Sequence, residues 1–253
     1  MKTMLKKRKV NILLVFALIL VSVNTNIMKT SAAVKPKIKR VSLVSSITTS
    51  VSWEKMSRAS KYEVYCSKDN GKFEKVKTVE GTSCSFKKLD LGTKYTYKIK
   101  AVVNGNKSAF SKAKSVTTKE WAYLLDVAKP YKTPYEFETK PFLVGNERLS
   151  HGFTYYNMGD QSAYFNLKGK YSKISFSVGA ASKIYVDDND PLALIKFYGD
   201  DSELDETVYI KPFDLKKDYS VDINYCNKFQ MFFGLAGDTS GGTFGIGNIK
   251  VYK

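Results

Sequence analysis

The sequence predicts an all-β protein built from two β-sandwich domains in tandem. Short runs that alternate apolar and polar residues recur along the chain, as in residues 62–66 and 173–178, and this two-residue period is typical of half-buried strands. Turn sequences such as Asp69-Asn-Gly71 separate the runs. After residue 34 no apolar stripe of helical spacing reaches helical length, so short strands packed as sandwiches are the predicted architecture.

The first 33 residues have the pattern of a secretory signal peptide. Five basic residues lie within positions 1–9, and an apolar run follows at positions 12–21. That run is shorter than the roughly 20 residues that span a bilayer, and small residues at 31–33 fit a cleavage site. An uncleaved anchor is the alternative. We expect a secreted, extracellular protein that has no membrane segment after cleavage and that associates with the cell wall.

The composition excludes several classes of function. The chain has 253 residues with 43% hydrophobic residues, which is enough to bury cores and excludes a disordered polycation. A single histidine excludes a metal centre built on several histidines. No GxSxG elbow, HExxH or Walker loop occurs. Two sandwiches leave no room for a catalytic domain of ordinary length, so we expect a protein that is not an enzyme, and a hydrolase ranks low.

The mature chain divides near residues 117–120, giving predicted domains at 34–118 and 119–253. The first carries five short motifs in order: Val51-Ser-Trp53, Ala59-Ser-Lys-Tyr-Glu-Val-Tyr65, Leu89-Asp-Leu-Gly-Thr-Lys-Tyr95, Lys98-Ile-Lys-Ala101 and Ser108-Ala-Phe-Ser111. Over residues 36–118 this order resembles a fibronectin type III domain of the immunoglobulin-like class. The resemblance implies that Trp53 is a core residue of strand B and that Tyr95 forms the tyrosine corner. It implies a spacer or protein-contact module without chemistry of its own.

The three cysteines allow one disulfide in a secreted protein. Cys66 and Cys84 are predicted to face the same core from opposite sheets, which makes them the disulfide candidate. Two buried free thiols are the alternative. Cys226 lies in a strand-like run, where a small buried residue is favoured over a nucleophile.

The second domain carries a long central motif, Ser162-Ala-Tyr-Phe-Asn-Leu-Lys-Gly-Lys-Tyr-Ser-Lys-Ile-Ser-Phe-Ser-Val-Gly179, followed by Ala193-Leu-Ile-Lys-Phe-Tyr-Gly-Asp200. With Tyr123-Leu-Leu-Asp-Val127 before them and Gly245-Ile-Gly-Asn-Ile-Lys-Val251 after them, these runs resemble the NPCBM type of carbohydrate-binding module. That resemblance implies a galactose-binding-like jelly-roll sandwich, of the kind appended to secreted bacterial glycoside hydrolases. Two stretches depart from the family pattern: Ala180-Ala181 replaces an acid, and Gly241-Gly-Thr-Phe-Gly-Ile-Gly247 replaces an acidic, tryptophan-rich loop.

One short stretch offers the groups that a sugar site requires. A sugar ring needs an aromatic platform for its apolar face and polar groups for its rim of hydroxyls. The candidate carbohydrate-binding residues are His151, Tyr155, Tyr156, Asn157 and Asp160, with Trp121 and Tyr123 as further platforms. Core packing for the tyrosines and a structural hydrogen bond for the histidine are the alternatives.

Two acidic clusters, at residues 187–190 and 200–206, are rich in oxygen ligands. Calcium prefers such oxygens, but the spacing does not match an EF-hand loop, and solvated turns are the favoured interpretation. We expect no cofactor beyond a candidate structural calcium, and the metal ligands stay unassigned.

The formal charge of +17 is unevenly distributed. Residues 34–118 hold 19 basic and 6 acidic residues, a net charge of +13, whereas residues 119–253 hold 16 basic and 18 acidic residues, a net charge of −2. The first domain is therefore expected to bind anionic wall polymers. The second is expected to bind galactose-type or other neutral glycans, or cell-wall polysaccharide, rather than nucleic acid. The leading hypothesis is a non-catalytic carbohydrate-binding protein, and a structural or protein-interaction module at the bacterial cell surface is the alternative.

Overall fold

The computed structural model describes residues 34–181, 193–211, 215–236 and 242–253. These ranges contain twenty strands and one four-residue helix, which confirms the predicted all-β class with two sandwiches. That helix is far too short to cross a membrane, and the described ranges contain no other candidate span. The predicted signal peptide at residues 1–33 lies outside the described residues.

The first sandwich contains eight strands in two sheets. Its strands are β1 (Ile38–Ser45), β2 (Thr48–Trp53), β3 (Ala59–Lys68), β4 (Glu74–Val79), β5 (Ser83–Phe86), β6 (Lys94–Val103), β7 (Asn106–Lys107) and β8 (Lys114–Thr117). One sheet has the order β1-β2-β5, and the other has the order β4-β3-β6-β7 with β8 also on β6. The pairing is antiparallel throughout.

The core of the first sandwich follows from the two-residue period of its strands. Trp53 is 2% exposed and its ring centroid lies 5.4 Å from that of Tyr62. In β6, Tyr97 is buried while its neighbours along the strand are half-exposed. Tyr95 accepts a hydrogen bond from the amide of Asp90 through its hydroxyl, at 3.0 Å. This is the contact expected of a tyrosine corner, and it holds the loop before β6 against the sandwich.

The second sandwich contains twelve strands and the helix. These elements are β9 (Trp121–Tyr123), α1 (Leu124–Val127), β10 (Pro130–Lys132), β11 (Phe142–Val144), β12 (Glu147–Leu149), β13 (Phe153–Tyr156), β14 (Gln161–Asn166), β15 (Lys173–Ala180), β16 (Ala193–Gly199), β17 (Ser202–Ile210), β18 (Lys217–Asp222), β19 (Lys228–Leu235) and β20 (Thr243–Tyr252). We call the sheet of order β10-β14-β19-β16-β17 the front sheet. The back sheet has the order β13-β20-β15-β18, with β9 also on β20.

Aromatic rings fill the space between the front and back sheets. Phe197 and Phe229 of the front sheet stack at 6.2 Å with 11° between ring planes, and Phe176 of the back sheet lies 5.2 Å from Phe197. These three rings are at most 2% exposed. Fully burying a side chain of this size stabilises the fold by about 1.5–3 kcal/mol, so each of these rings contributes to the stability of the second sandwich.

The β11–β12 hairpin packs on the outer face of the back sheet, where glycines make room for it. A Cβ at Gly245 would overlap the ring of Phe142, and one at Gly247 would lie 2.6 Å from Cβ of Leu149. Leu149 is 2% exposed. The glycine-rich segment that departs from the family pattern therefore serves close packing, since any larger side chain on this face would displace the hairpin.

Gly247→Ala is expected to lower the free energy of unfolding of the second sandwich by about 1–3 kcal/mol, because the added methyl group overpacks the contact with Leu149. Urea denaturation followed by tryptophan and tyrosine fluorescence measures the change. Gly81→Ala is the matched control, since no atom lies within 4 Å of a Cβ at that position. Equal stability of the two variants would contradict the packing role of Gly247.

Candidate functional site

The predicted sugar stretch from residue 151 to residue 160 is divided between the two sheets of the second sandwich. His151 is exposed, and its ring stacks on Tyr123 with 3.7 Å between centroids and 10° between planes. Its Nδ1 lies 2.9 Å from Oγ of Ser150. Trp121 contacts Tyr123 edge-on at 5.2 Å. The structure thus groups His151 with the two further platform candidates, on the outer side of the back sheet.

Tyr155 and Asn157 are buried, which corrects their prediction as sugar contacts. Tyr155 is 0% exposed, and its ring lies 4.1 Å from that of Phe233. Its hydroxyl has no hydrogen-bond partner among the described residues, and burial raises its pKa. Asn157 donates from Nδ2 to the carbonyl of Gly234 at 3.0 Å. The reason lies in the period of β13, because Tyr155 shares the inward face with the buried Phe153.

Tyr156 and Asp160 lie nearer the surface, Tyr156 at the end of β13 in the back sheet and Asp160 just before β14 of the front sheet. Tyr156 is half-buried, and its amide donates to the carbonyl of Tyr135 at 3.1 Å. Gln161 links the same two residues, because its Nε2 donates to the Tyr156 carbonyl at 3.0 Å while its Oε1 accepts from the Tyr135 amide at 2.5 Å. Asp160 is exposed and lines a groove on the front sheet together with Gln161.

A row of polar and aromatic side chains crosses the outer face of the front sheet. Strand register places them as successive cross-strand neighbours in the order Lys132, Tyr164, Gln230, Tyr198 and Glu203. Tyr164, Gln230 and Tyr198 each alternate with buried residues along their strands. Because successive side chains of a strand point to opposite faces, these three side chains are fixed on the outside of the sheet.

The row lies at the centre of a depression that we call the front groove. It consists of two adjoining hollows of about 160 and 380 Å³ that share Lys132, Tyr164 and Gln230. Tyr131, 61% exposed, lines the smaller hollow, and Tyr135, 58% exposed, lines the larger one. Large exposed rings beside a concave surface are typical of binding sites.

Contacts within the front groove hold its side chains in place. The rings of Tyr131 and Tyr164 lie 5.8 Å apart at 39°, and the Lys132 ammonium lies 5.3 Å from the Tyr164 ring centroid. Gln230 donates from Nε2 to Oγ of Ser162 at 2.9 Å. The groove therefore presents ring faces for apolar C–H surfaces, and it presents amide and ammonium groups, with the Asp160 carboxylate, for hydroxyls.

Sequence reasoning missed Tyr131, Tyr164 and Gln230. The alternation of Tyr164 with buried neighbours was a signal that its ring points outward. The strand order that brings β10, β14 and β19 together could not be predicted from the sequence, because those strands are separated by up to about a hundred residues of chain.

The acidic cluster at residues 200–206 supports a turn. Asp200 accepts hydrogen bonds from the amides of Lys228 at 2.8 Å and Asn227 at 3.0 Å, and these bonds hold the pKa of its carboxyl below the usual range. Asp201 pairs with Lys228 at 3.5 Å. Within the part of the chain that the structure describes, no three potential ligands cluster around a metal position. The other cluster, at residues 187–190, lies outside the described residues.

The three cysteines are free thiols, so the candidate disulfide between Cys66 and Cys84 is not formed in the structure. Tyr97 is the cross-strand neighbour of Cys66, and its hydroxyl hydrogen-bonds to Oγ1 of Thr49 at 2.8 Å. Burial raises the pKa of Cys66 and of Cys226 to about 11. Both thiols are protonated near neutral pH, which disfavours a nucleophilic role.

Several solved structures resemble parts of this chain. The sixth fibronectin type III domain of human fibronectin type III domain containing protein 3 is 20% identical, with 36% of this chain and 89% of that chain covered and a TM-score of 0.32. The CBM51-2 and INT domains of Clostridium perfringens ZmpB are 15% identical, with 76% and 40% covered and a TM-score of 0.41. The CBM51 of Clostridium perfringens GH95, solved in complex with methyl-galactose, is 16% identical, with 52% and 99% covered and a TM-score of 0.39.

Comparison with curated proteins found no match to this chain. The family described as the fibronectin type III domain matches residues 34–117. That range coincides with the first sandwich, whose buried Trp53 and Tyr95 corner have the geometry that the sequence resemblance implies. Residues 34–117 of this chain are a fibronectin type III domain.

Proposed function

We propose that this chain is a secreted or cell-surface, non-catalytic carbohydrate-binding protein whose second sandwich binds a glycan in the front groove. The observation that carries the proposal is the pair of exposed tyrosines, Tyr131 and Tyr135, on either side of the row that contains Tyr164 and Gln230. Aromatic faces beside fixed polar groups match the two surfaces of a sugar ring. The proposed arrangement is a signal peptide at 1–33, a spacer at 34–118 and the binding module at 119–253.

A galactose-type sugar is the first ligand to test, because the resemblance of residues 121–253 is to a galactose-binding-like module. The net charge of −2 over residues 119–253 suits a neutral ligand better than a polyanion. Two carboxylates at one end of the groove are engaged in ion pairs, that of Glu203 with Lys196 at 2.9 Å and that of Asp201 with Lys228 at 3.5 Å. Such engaged carboxylates suit binding better than proton transfer, which supports a non-catalytic role.

A protein-contact role is the second candidate. Gly245 and Gly247 pack against the β11–β12 hairpin. The glycine-rich segment that departs from the family pattern therefore has a packing role and does not form a ligand-binding loop. The cluster of the half-buried Trp121 and Tyr123 with the exposed His151 on the back sheet consists of amphipathic rings, which are enriched at protein interfaces. Binding of a cell-surface protein with no response to any sugar would favour this candidate.

Combined Tyr131→Ala and Tyr164→Ala substitution is expected to weaken binding of methyl-galactoside, or of the best sugar in a glycan panel, by about 10-fold or more, since each substitution removes a ring face and 1.4 kcal/mol equals 10-fold. Isothermal titration calorimetry on the full chain measures this change. Tyr209→Ala is the matched control, because Tyr209 is 51% exposed on β17 of the same sheet but does not line the groove.

A panel in which no sugar binds, or in which the Tyr209→Ala variant loses as much affinity as the groove variant, would refute the front groove as a sugar site. Tyr155→Ala is not a suitable test. It would remove a buried ring and destabilise the core by about 3–5 kcal/mol, as Phe→Ala substitutions do.

The basic character of the first sandwich has a structural counterpart on its outer face. The ammonium of Lys98 lies 4.2 Å from the ring centroid of Phe73, and that of Lys100 lies 4.3 Å from that of Phe110. Phe110 is itself 37% exposed. Neighbouring lysines held over rings give a positively charged surface that suits a polymer carrying repeated negative charges, such as an anionic wall polymer.

Adhesion of the chain to an immobilised teichoic acid is expected to fall steeply between about 50 mM and about 500 mM salt, because the attraction is electrostatic and screened. Lys98→Gln with Lys100→Gln should weaken this adhesion by roughly 2- to 10-fold at low salt. Lys129→Gln with Lys140→Gln removes the same charge from the second sandwich and is the control. Surface plasmon resonance is the measurement, and salt-independent adhesion would contradict the proposal.

A further inference from the structure

A cleft of about 440 Å³ lies between the two sandwiches, and it is separate from the front groove. The first sandwich contributes the turn at Ile47 and the loop from Lys88 to Leu91. The second sandwich contributes Val127 of α1 and the turn from Asn166 to Tyr171. Its volume is that of a site for a small ligand, and junctions between domains are frequent positions for such sites.

The floor of the cleft is apolar and belongs to a packed core. Ile47 and Leu91 of the first sandwich are 8% and 5% exposed, and they belong to the same hydrophobic cluster as Leu167 and Tyr171 of the second. Tyr171 is 9% exposed, and burial raises the pKa of its hydroxyl. Because apolar side chains of both sandwiches pack together here, the floor is a preformed surface that a ring-shaped ligand can cover without a rearrangement.

The rim of the cleft is strongly basic. Five of the lining residues are lysines, at positions 68, 88, 168, 170 and 253, and Asp90 is the one carboxylate among the described residues that line it. Asp90 pairs with Lys68 at 2.7 Å and with Lys170 at 3.9 Å, and the Lys68 hydrogen bond lowers the pKa of its carboxyl. Within the described ranges no carboxylate pairs with the three remaining lysines.

Two of these lysines occupy backbone positions that lysine rarely adopts. Lys88 and Lys168 both have a φ of 57°, in the left-handed region that favours glycine and asparagine. Lys168 precedes Gly169, whose φ is 65°, so the pair has the positive φ angles of a type I′ turn. Lysine at such a position costs backbone energy that glycine or asparagine would avoid, which is why asparagine is the substitution that best retains these turns.

We propose that this cleft binds an acidic sugar residue, that is, a sugar ring carrying a carboxylate or a phosphate. The ring covers the apolar floor at Leu91 and Leu167, and the anion lies among the ammonium groups of Lys88, Lys168 and Lys253. An unpaired ammonium group is a strong donor to carboxylate and phosphate oxygens. The site differs from the diffuse attraction of polymers to the first sandwich, because it needs one ring and one anion at a fixed place.

The proposal is tested by isothermal titration calorimetry of the full chain with glucuronate, glucose 6-phosphate, glucose and inorganic phosphate. At least one of the two acidic sugars should bind, and glucose should bind at least 10-fold more weakly. Comparing glucuronate with glucose 6-phosphate shows whether the cleft prefers a sugar that carries a carboxylate or a sugar that carries a phosphate. Phosphate alone binding as tightly as glucose 6-phosphate, with no response to glucuronate, would overturn the sugar part of the assignment. If neither acidic sugar binds, the proposal of an acidic-sugar site in this cleft is wrong.

Lys88→Asn with Lys168→Asn is the decisive variant, because asparagine tolerates the left-handed backbone and the turns should be retained. Binding of the acidic sugar should weaken about 10-fold or more, with the midpoint of thermal unfolding held within a few degrees. Arg58→Asn with Lys72→Asn is the matched control, since Arg58 also has a positive φ of 60° and both residues are exposed outside the cleft.

An equal loss in the control pair would show diffuse charge attraction and overturn the site. Binding of a neutral galactoside in the front groove is a separate readout. The cleft variant should retain it, and the combined Tyr131→Ala and Tyr164→Ala variant should retain binding of the acidic sugar. The two sites can therefore fail independently.

Discussion

The aromatic layer between the front and back sheets determines where the outward side chains of the second sandwich lie. Phe197 and Phe229 are inward residues of adjacent strands, and both are fully buried. A slip of one residue in either strand would move its ring to solvent and lose about 1.5–3 kcal/mol for each ring exposed. The register is therefore fixed from inside. Gln230 and Tyr198, the residues that follow those two rings, become neighbours on the outer face as a consequence.

The same constraint explains which parts of the fold the sequence predicts. Alternation is a local property, so the strand around Tyr164 and the inward direction of Trp53 follow from their immediate neighbours. The tyrosine corner is also local, because Tyr95 and Asp90 lie only five residues apart. Features set by residues close in sequence could be predicted, and with them the class, the two sandwiches and much of the first core.

The candidate site could not be predicted in the same way, because its residues come together through strand order. Residues 151–160 were interpreted as one surface since they are contiguous. The chain instead passes from the back sheet at His151, through the buried Tyr155, to the front sheet at Asp160. Gly245 and Gly247 illustrate the converse case, in which residues far apart in sequence come into contact. The sequence suggested that these glycines belong to an altered ligand loop. Their role depends on a hairpin about a hundred residues earlier, and nothing near them in sequence indicates it.

The junction between the sandwiches joins the two modules for which we propose different kinds of recognition. Asp90 is held by the Tyr95 hydroxyl on one side and accepts, through its carbonyl, a hydrogen bond from Thr118 at 2.6 Å. Its carboxylate pairs with Lys68 of its own sandwich and with Lys170 of the other. The basic module is thus joined to the near-neutral one through a fixed, hydrogen-bonded corner and a shared apolar floor.

The two modules suit different steps of the proposed recognition, namely electrostatic attraction of a polymer and selection of a sugar residue by shape. The charge of +13 on residues 34–118 acts over about a Debye length and is weakened by salt, so the proposed attraction of anionic polymers would not distinguish one polymer from another. Selection requires shape, and the two proposed sites differ in what they offer: the junction has an apolar floor with lysines at its rim, and the front groove has exposed rings. Because buried apolar contact is not screened by salt, the two contributions respond differently to ionic strength. If both proposals hold, the adjoining surfaces of the two sandwiches would let a weak, long-range attraction deliver a polymer to sites that bind individual sugar residues.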